Sequence, residues 1–325
     1  MYINMAKYAR RLQRIGSSIL VSLPKEWIKH NKLDKGNTVV IETGSDDAIV
    51  VYPSGTEQDE SKEIVIQYPS KYAEAIVNEI TGAYLLGYDI IKVNSRSQIS
   101  YDDREIIKEI IGKMVGMEIV DEDIYKITAQ FLLDAATLDP AKILYRMNSI
   151  ISGMYKDTLA SLTNKDPNLL RIIARRDDEV DRQYFLLVRL IRSAIMDPKL
   201  ASKLDLVNID ILDYRIAANL FESAGDTIVD LAKAISSNQL KKYGELKNVG
   251  ERIEILQDTA IRAFARKNRV DSIEAIKQYA RFNDLLEITK QNAPVNILSI
   301  IYAMDNIARC WIDVVDLVKP VPSVL

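Results

Sequence analysis

The stretch ILYRMNSIISGMYKDTLASL, residues 143–162, decides the class of fold. Ile143, Leu144, Met147, Ile150, Ile151, Met154, Thr158 and Leu162 recur at i, i+3, i+4, i+7, the period of a helix that buries one face. The same period runs on to the C-terminus, and Pro140, Pro167, Pro198 and Pro294 stand at the boundaries between helical runs. Six long helices are predicted, at 141–164, 167–197, 208–237, 239–267, 270–291 and 294–318.

These helices repeat. MYKDTLASL (154–162) aligns with ILQDTAIRA (255–263), ARRDDEVD (174–181) with ARFNDLLE (280–287), and FESAGDTIVDLA (221–232) with IIYAMDNIARCW (300–311), always in the same order. The C-terminal part is therefore expected to be two three-helix bundles in tandem, over 140–238 and 239–319.

In the first copy Asp177 and Asp181 lie four apart, as do Glu222 and Asp226. Like charges at that spacing on a helix repel, at about 0.2–0.5 kcal/mol. Two antiparallel helices can bring the pairs face to face, and four carboxylates suit a hard or borderline cation such as Mg, Mn, Ca or Fe. In the second copy the matching positions are Asn283, Glu287, Ile301 and Asp305, so two carboxylates remain. A simpler reading stands beside this one. Phe221, Ala224, Gly225, Ile228 and Leu231 form the apolar stripe, and Glu222 and Asp226 fall on its flank, where water or Arg215 and Lys233 would neutralise them. The spacing alone is compatible with both.

Upstream the period changes to two. SSILVSLP (17–24), NTVVIET (37–43) and AIVVYP (48–53) read as strands, KEWIKHNK (25–32) as a short helix, and Lys35-Gly36-Asn37 and Ser45-Asp46-Asp47 as turns. Roughly 50 residues make a marginal core alone, so the segment 1–55 is expected to dimerise. Residues 1–36 carry Lys7, Arg10, Arg11, Arg14, Lys25, Lys29, Lys32 and Lys35 against Glu26 and Asp34, which suggests a polyanionic partner. The acidic linker SGTEQDESKE (54–63) follows. Residues 62–136 then read β-α-β-α-β-β, a small layer of helices on one sheet with no phosphate loop or nucleophile elbow. That segment is expected to be a spacer or dimerisation unit.

Composition narrows the function further. The 325 residues are 48% hydrophobic and 27% charged with a net charge of −3, as in a globular protein that is no polycation overall. The single Cys310 and single His30 exclude an internal disulfide and a Cys/His zinc site within one chain. With no apolar span of about 20 residues and no signal core, a cytoplasmic protein without membrane insertion is expected.

The helical part resembles the PhoU family of phosphate-uptake regulators. LFESAGDTIVDLA (220–232) is similar to that family's third-helix signature, keeping Glu222, Gly225 and Asp226, while the second copy keeps Asp305-Asn306-Ile307-Ala308 with Ile301 in the Glu position. The resemblance implies that Asp177, Asp181, Glu222 and Asp226 hold a cation, with Fe, Zn, Mn or Mg as candidates. The N-terminal part resembles the AbrB/SpoVT swapped-hairpin DNA-binding domain, through Arg10-Arg11-Leu12-Gln13, the run Ser17 to Trp27, and Leu33-Asp34-Lys35-Gly36-Asn37-Thr38-Val39. It implies an interleaved homodimer with Arg10, Arg11, Arg14 and Lys25 facing double-stranded DNA. The fold class expected is multidomain α+β: a swapped-hairpin β-barrel, a small α/β segment and all-α tandem bundles. Together the two resemblances are similar to archaeal phosphate-uptake regulators and imply a DNA-binding transcriptional regulator of phosphate uptake. The alternative is a signalling adaptor that docks on the ATPase of the phosphate ABC transporter, its N-terminal domain serving only to dimerise. No enzyme is expected, because no nucleophile, His base or phosphate loop accompanies the carboxylates.

Overall fold

The computed structural model describes residues 8–43, 49–54, 61–69, 75–164, 168–238 and 244–318. The turn expected at Ser45-Asp46-Asp47, most of the linker 54–63, residues 70–74 of the expected β-α-β-α-β-β segment, the Pro167 boundary and the helix start at 239 lie outside these. The chain divides into two compact units, Met1–Ser61 and Lys62–Leu325.

In the first unit β1 (Gln13–Ile15) pairs antiparallel with β2 (Ser18–Leu20), and β3 (Val39–Thr43) with β4 (Ile49–Pro53), as two separate two-stranded sheets. α1 spans Lys25–His30. The strand expected over 17–24 is present but shorter, Ser18–Leu20, and is the second arm of a hairpin whose first arm lies outside the expected strands. Gly16 turns the chain at a φ of 62°, a conformation glycine adopts without strain, so pairing begins at Gln13 and ends at Leu20. Leu12, Ile15, Ile19 and Ile41 are each more than 60% exposed, and α1 buries none of its residues. A lone two-stranded hairpin is marginal in water. One chain supplies the hairpins of the expected barrel, but among the described residues none of this unit is buried.

The second unit opens with the α/β module. β5 (Glu63–Tyr68), α2 (Ala75–Leu85), β6 (Ile90–Ser95), α3 (Tyr101–Lys113), β7 (Met117–Glu122) and β8 (Lys126–Phe131) follow the expected order. The sheet runs β5-β6-β8-β7, with β5 parallel to β6 and the other pairs antiparallel. Alternation puts Ile66, Ile91, Val93, Ile127, Ala129 and Phe131 into the core, where Ile76, Ile80 and Tyr84 of α2 and Ile107 and Ile111 of α3 are also buried. The Glu63–Lys92 and Asp121–Lys126 ion pairs run diagonally between adjacent strands, β5 to β6 and β7 to β8.

Six long helices then pack as expected: α4 (Pro140–Ala160), α5 (Leu169–Met196), α7 (Asn208–Ser237), α8 (Gly244–Arg266), α9 (Arg269–Gln291) and α10 (Leu298–Asp316). Asp139 starts α4 by accepting hydrogen bonds from the amides of Ala141 and Lys142, with Pro140 in the first turn. Two expectations need correction. The connection after α5 holds a further short helix, α6 (Pro198–Lys203), because Asp197 caps it and Pro198 pre-sets its first turn. The last helix begins at Leu298 rather than 294, after a 3₁₀ turn at Val295–Ile297. α4, α5 and α7 form the first bundle and α8, α9 and α10 the second, joined chiefly where α7 packs on α10. Phe221 and Trp311 meet edge-to-face there, with ring centroids 5.3 Å apart. Tyr155 also donates to the Gly250 carbonyl, and Gln257 to Asn148, tying α4 to α8. Among the described residues no helix is long and apolar enough to cross a membrane.

Candidate functional site

α5 and α7 are the most closely associated helices of the first bundle, and both carry the acidic pairs. The stripe Phe221, Ala224, Gly225, Ile228 and Leu231 is buried, which holds Glu222 and Asp226 at the edge of the α5–α7 seam. Asp181, Glu222 and Asp226 come together there, each with a carboxylate oxygen within 4.8 Å of the others'. Asp177 is not one of this group of three. It lies beside it over Gly225, where an added Cβ would sit 3.2 Å from the Asp177 Oδ1. Glycine thus makes room for the fourth carboxylate against the seam.

Crowding and burial show in the ionisation of all four. Burial, then Asp181, Asp226, Asp178 and Glu222, pushes Asp177 up to about 7. Burial, then Asp226 and Asp178, pushes Asp181 up to about 6, while Lys113 on α3 pulls it down. Glu222 and Asp226 are also raised, first by burial and then by neighbouring carboxylates. The neutralisers expected from the sequence act only from a distance: Arg215 pulls Glu222 down and Lys233 pulls Asp226 down, while Arg215 donates to the Tyr184 hydroxyl and lies over its ring and Lys233 pairs directly with Asp230. Among the described residues no cation forms an ion pair with any of the four. An ion at about 2.1 Å from each oxygen needs them within about 4.2 Å of one another, so small side-chain rotations would complete a three-oxygen set. The donors are all oxygen, which suits Mg, Mn or Fe better than Zn, whose usual ligands include Cys or His.

The second bundle has no such group among the described residues. Ile301 is buried between the helices, Asp305 pairs with Arg309 at 3.1 Å, and Glu287 pairs with Lys290.

In the N-terminal unit Arg10, Arg11, Arg14 and Lys25 are all exposed and form no ion pair among the described residues. Arg14 lies on β1, and Arg10 lies over the Tyr8 ring at 5.4 Å. Arg189 went unnoticed in the sequence. Its signal is a single cation inside the apolar run LLVRLI (186–191), and it is 4% exposed.

The PhoU domain family matches residues 144–235, the stretch that holds all four carboxylates. Residues 144–235 are a PhoU domain. The family described as antidote-toxin recognition MazE, bacterial antitoxin, matches residues 12–59, so the N-terminal unit is of the AbrB-like kind expected. A phosphate-specific transport system accessory protein PhoU homolog of Clostridium acetobutylicum is 28% identical over 162 residues, covering 46% of this chain and 73% of that protein. Among solved structures, PhoU from Pseudomonas aeruginosa aligns with a TM-score of 0.46 at 16% identity, covering 55% of this chain and 93% of its own. The phosphate transport system regulatory protein PhoU from Streptococcus pneumoniae aligns at 0.43 and 14%, covering 55% and 91%.

Proposed function

We propose that the protein is a dimeric, DNA-binding regulator of phosphate uptake whose helical part senses or relays phosphate status. The observation that carries this reading is the union in one chain of a PhoU domain with a MazE-like unit that has uncovered apolar strands and unpaired exposed cations. Two interleaved copies would cover Leu12, Ile15, Ile19 and Ile41. They would also bring Arg10, Arg11, Arg14 and Lys25 together with their counterparts. Arg suits bidentate contacts to phosphate or guanine, and Lys supplies a point charge. The link to phosphate transport comes from the description of the Clostridium relative. Asp181, Glu222 and Asp226, with Asp177 beside them, would hold one Mg, Mn or Fe ion. The protein works in the cytoplasm, where its DNA is, and catalyses no reaction.

Mapping of bound DNA across the genome at high and low phosphate tests this. Specific occupancy at phosphate-transport promoters that changes with phosphate is expected, and occupancy indistinguishable from background overturns the reading. The relative's designation as a transport accessory protein favours a second reading, in which the chain docks on the transporter's ATPase and the N-terminal unit only dimerises. Co-purification with that ATPase, with flat DNA occupancy, would select it.

A further inference from the structure

Asp89 stands at a junction that neither the cation site nor the DNA-facing cations explain. Its Oδ2 accepts from the backbone amide of Lys62 at 3.0 Å, and its Oδ1 accepts from Arg189 Nη2 at 2.8 Å. Its amide donates to the Lys62 carbonyl at 2.7 Å, and its own carbonyl accepts from Phe131 at 2.8 Å. Lys62 is the first residue of the second unit, where the chain arrives from the N-terminal unit. Arg189 lies on α5, eight residues beyond Asp181, about 12 Å along the helix.

Arg189 is held from every side. Its Nη1 donates to the carbonyls of Tyr84 at 2.9 Å and Tyr88 at 2.8 Å. Its guanidinium lies 3.9 Å from the Phe131 ring centroid and 5.1 Å from that of Tyr84. Four residues on, Ser193 approaches Gly87 so closely that a Cβ there would sit 2.6 Å from its Oγ. α5 therefore serves both as a wall of the first bundle and as a packing partner of α2 in the α/β module. A buried cation bound to three fixed acceptors cannot slide, so any shift of α5 must carry Asp89 with it. α5 also carries Asp177 and Asp181, which an ion would draw toward Glu222 and Asp226 on α7.

We propose that the α/β module is the transmission element of the protein: it passes the state of the α5–α7 carboxylates, through the Arg189–Asp89 clamp, to Lys62 and the segment entering from the N-terminal unit. This rests on the carboxylate seam responding to a cation, and the experiment separates the two. Amide hydrogen exchange is measured on the full chain and on its Asp89→Asn and Arg189→Lys variants, with and without Mn²⁺. Asp89→Asn keeps the side chain's shape, so it reports even where Arg189→Lys impairs folding. In the parent chain Mn²⁺ is expected to slow exchange around 177–181 and 222–226 and, by about 5-fold or more, along Lys62–Tyr68. In the variants the response on α5 and α7 stays and that along Lys62–Tyr68 is lost. A parent chain that responds on α5 and α7 alone, or variants that keep the response at Lys62–Tyr68, overturns the clamp. If Mn²⁺ moves neither region, the cation reading falls. The clamp is then judged with E222Q/D226N, which relieves the repulsion across the same seam without any ion. Altered exchange along Lys62–Tyr68 that D89N abolishes sustains it, and unaltered exchange overturns it.

Discussion

In the presence of a chelator, raising the pH should weaken the fold of Lys62–Leu325, the reverse of the usual behaviour of carboxylates. Asp177 is pushed from its ordinary 3.8 to about 7, and Asp181 to about 6, by burial and then by neighbouring negative charge. A carboxylate whose folded-state pKa is raised holds its proton in the native chain at pH values where the unfolded chain has lost it. The stability it contributes is complete below the unfolded value and disappears as pH rises through the folded one. Between about pH 5 and about pH 8.5 the linkage slope gives about 2.7 kcal/mol for Asp177 and about 1.4 for Asp181. Both side chains keep some contact with solvent, and the two titrations are coupled, so roughly half is expected to survive, about 2 kcal/mol together. Trp311 is fully buried in α10, whereas Trp27 lies in the other unit. Urea unfolding of a Trp27→Phe chain, followed by Trp311 fluorescence, therefore reads the right unit. Asp177→Asn should flatten the pH dependence. Equal or greater stability at the higher pH would refute the account of the seam as four crowded, unpaired carboxylates.

Mn²⁺ should raise the thermal midpoint of the parent chain by mass action. The gain should vanish in E222Q/D226N and persist in E287Q/D305N, as a thermal-shift titration would reveal. Replacing Arg10 and Arg11 by Ala should weaken duplex DNA binding and flatten its salt dependence, by about one in slope for each phosphate no longer neutralised; unchanged binding in a fluorescence-anisotropy titration would rule this surface out. Residues 1–61 should scatter light as a dimer at micromolar concentration, and a folded monomer would contradict the inference from their exposed apolar strands. Gly87→Ala should cost about 1–3 kcal/mol in urea unfolding, since the position has φ 79° and faces Ser193, and Ser193→Ala should recover part of that.

The helical half was legible because its period is long and its boundaries carry chemistry. The helix read at 208–237 is the one observed, and each apolar residue of its stripe is buried. The β-α-β-α-β-β order was legible for the same reason. Short range hid the rest. A three-residue strand such as Gln13–Ile15 has no period to detect, and its register comes from Gly16. α6 is six residues long and is set by one cap and one proline. At the seam, spacing told which carboxylates share a helix face but not how far a side chain reaches across. Asp177 therefore fell beside the group of three. The Arg189–Asp89 ion pair spans 100 positions, and no local pattern carries it.

Ile301 stands where the first copy has Glu222, and it is 1% exposed. The duplicated copies have thereby parted in what they can tolerate. In the second copy this position belongs to the interior, where a charge would be costly to bury without a partner. In the first copy it lies at the margin, where exchanging one polar residue for another leaves the apolar stripe intact. A polar exchange at this position therefore changes the charge of the seam in the first copy, whereas in the second it disturbs the packing. One position thus carries charge chemistry in the first copy and interior packing in the second.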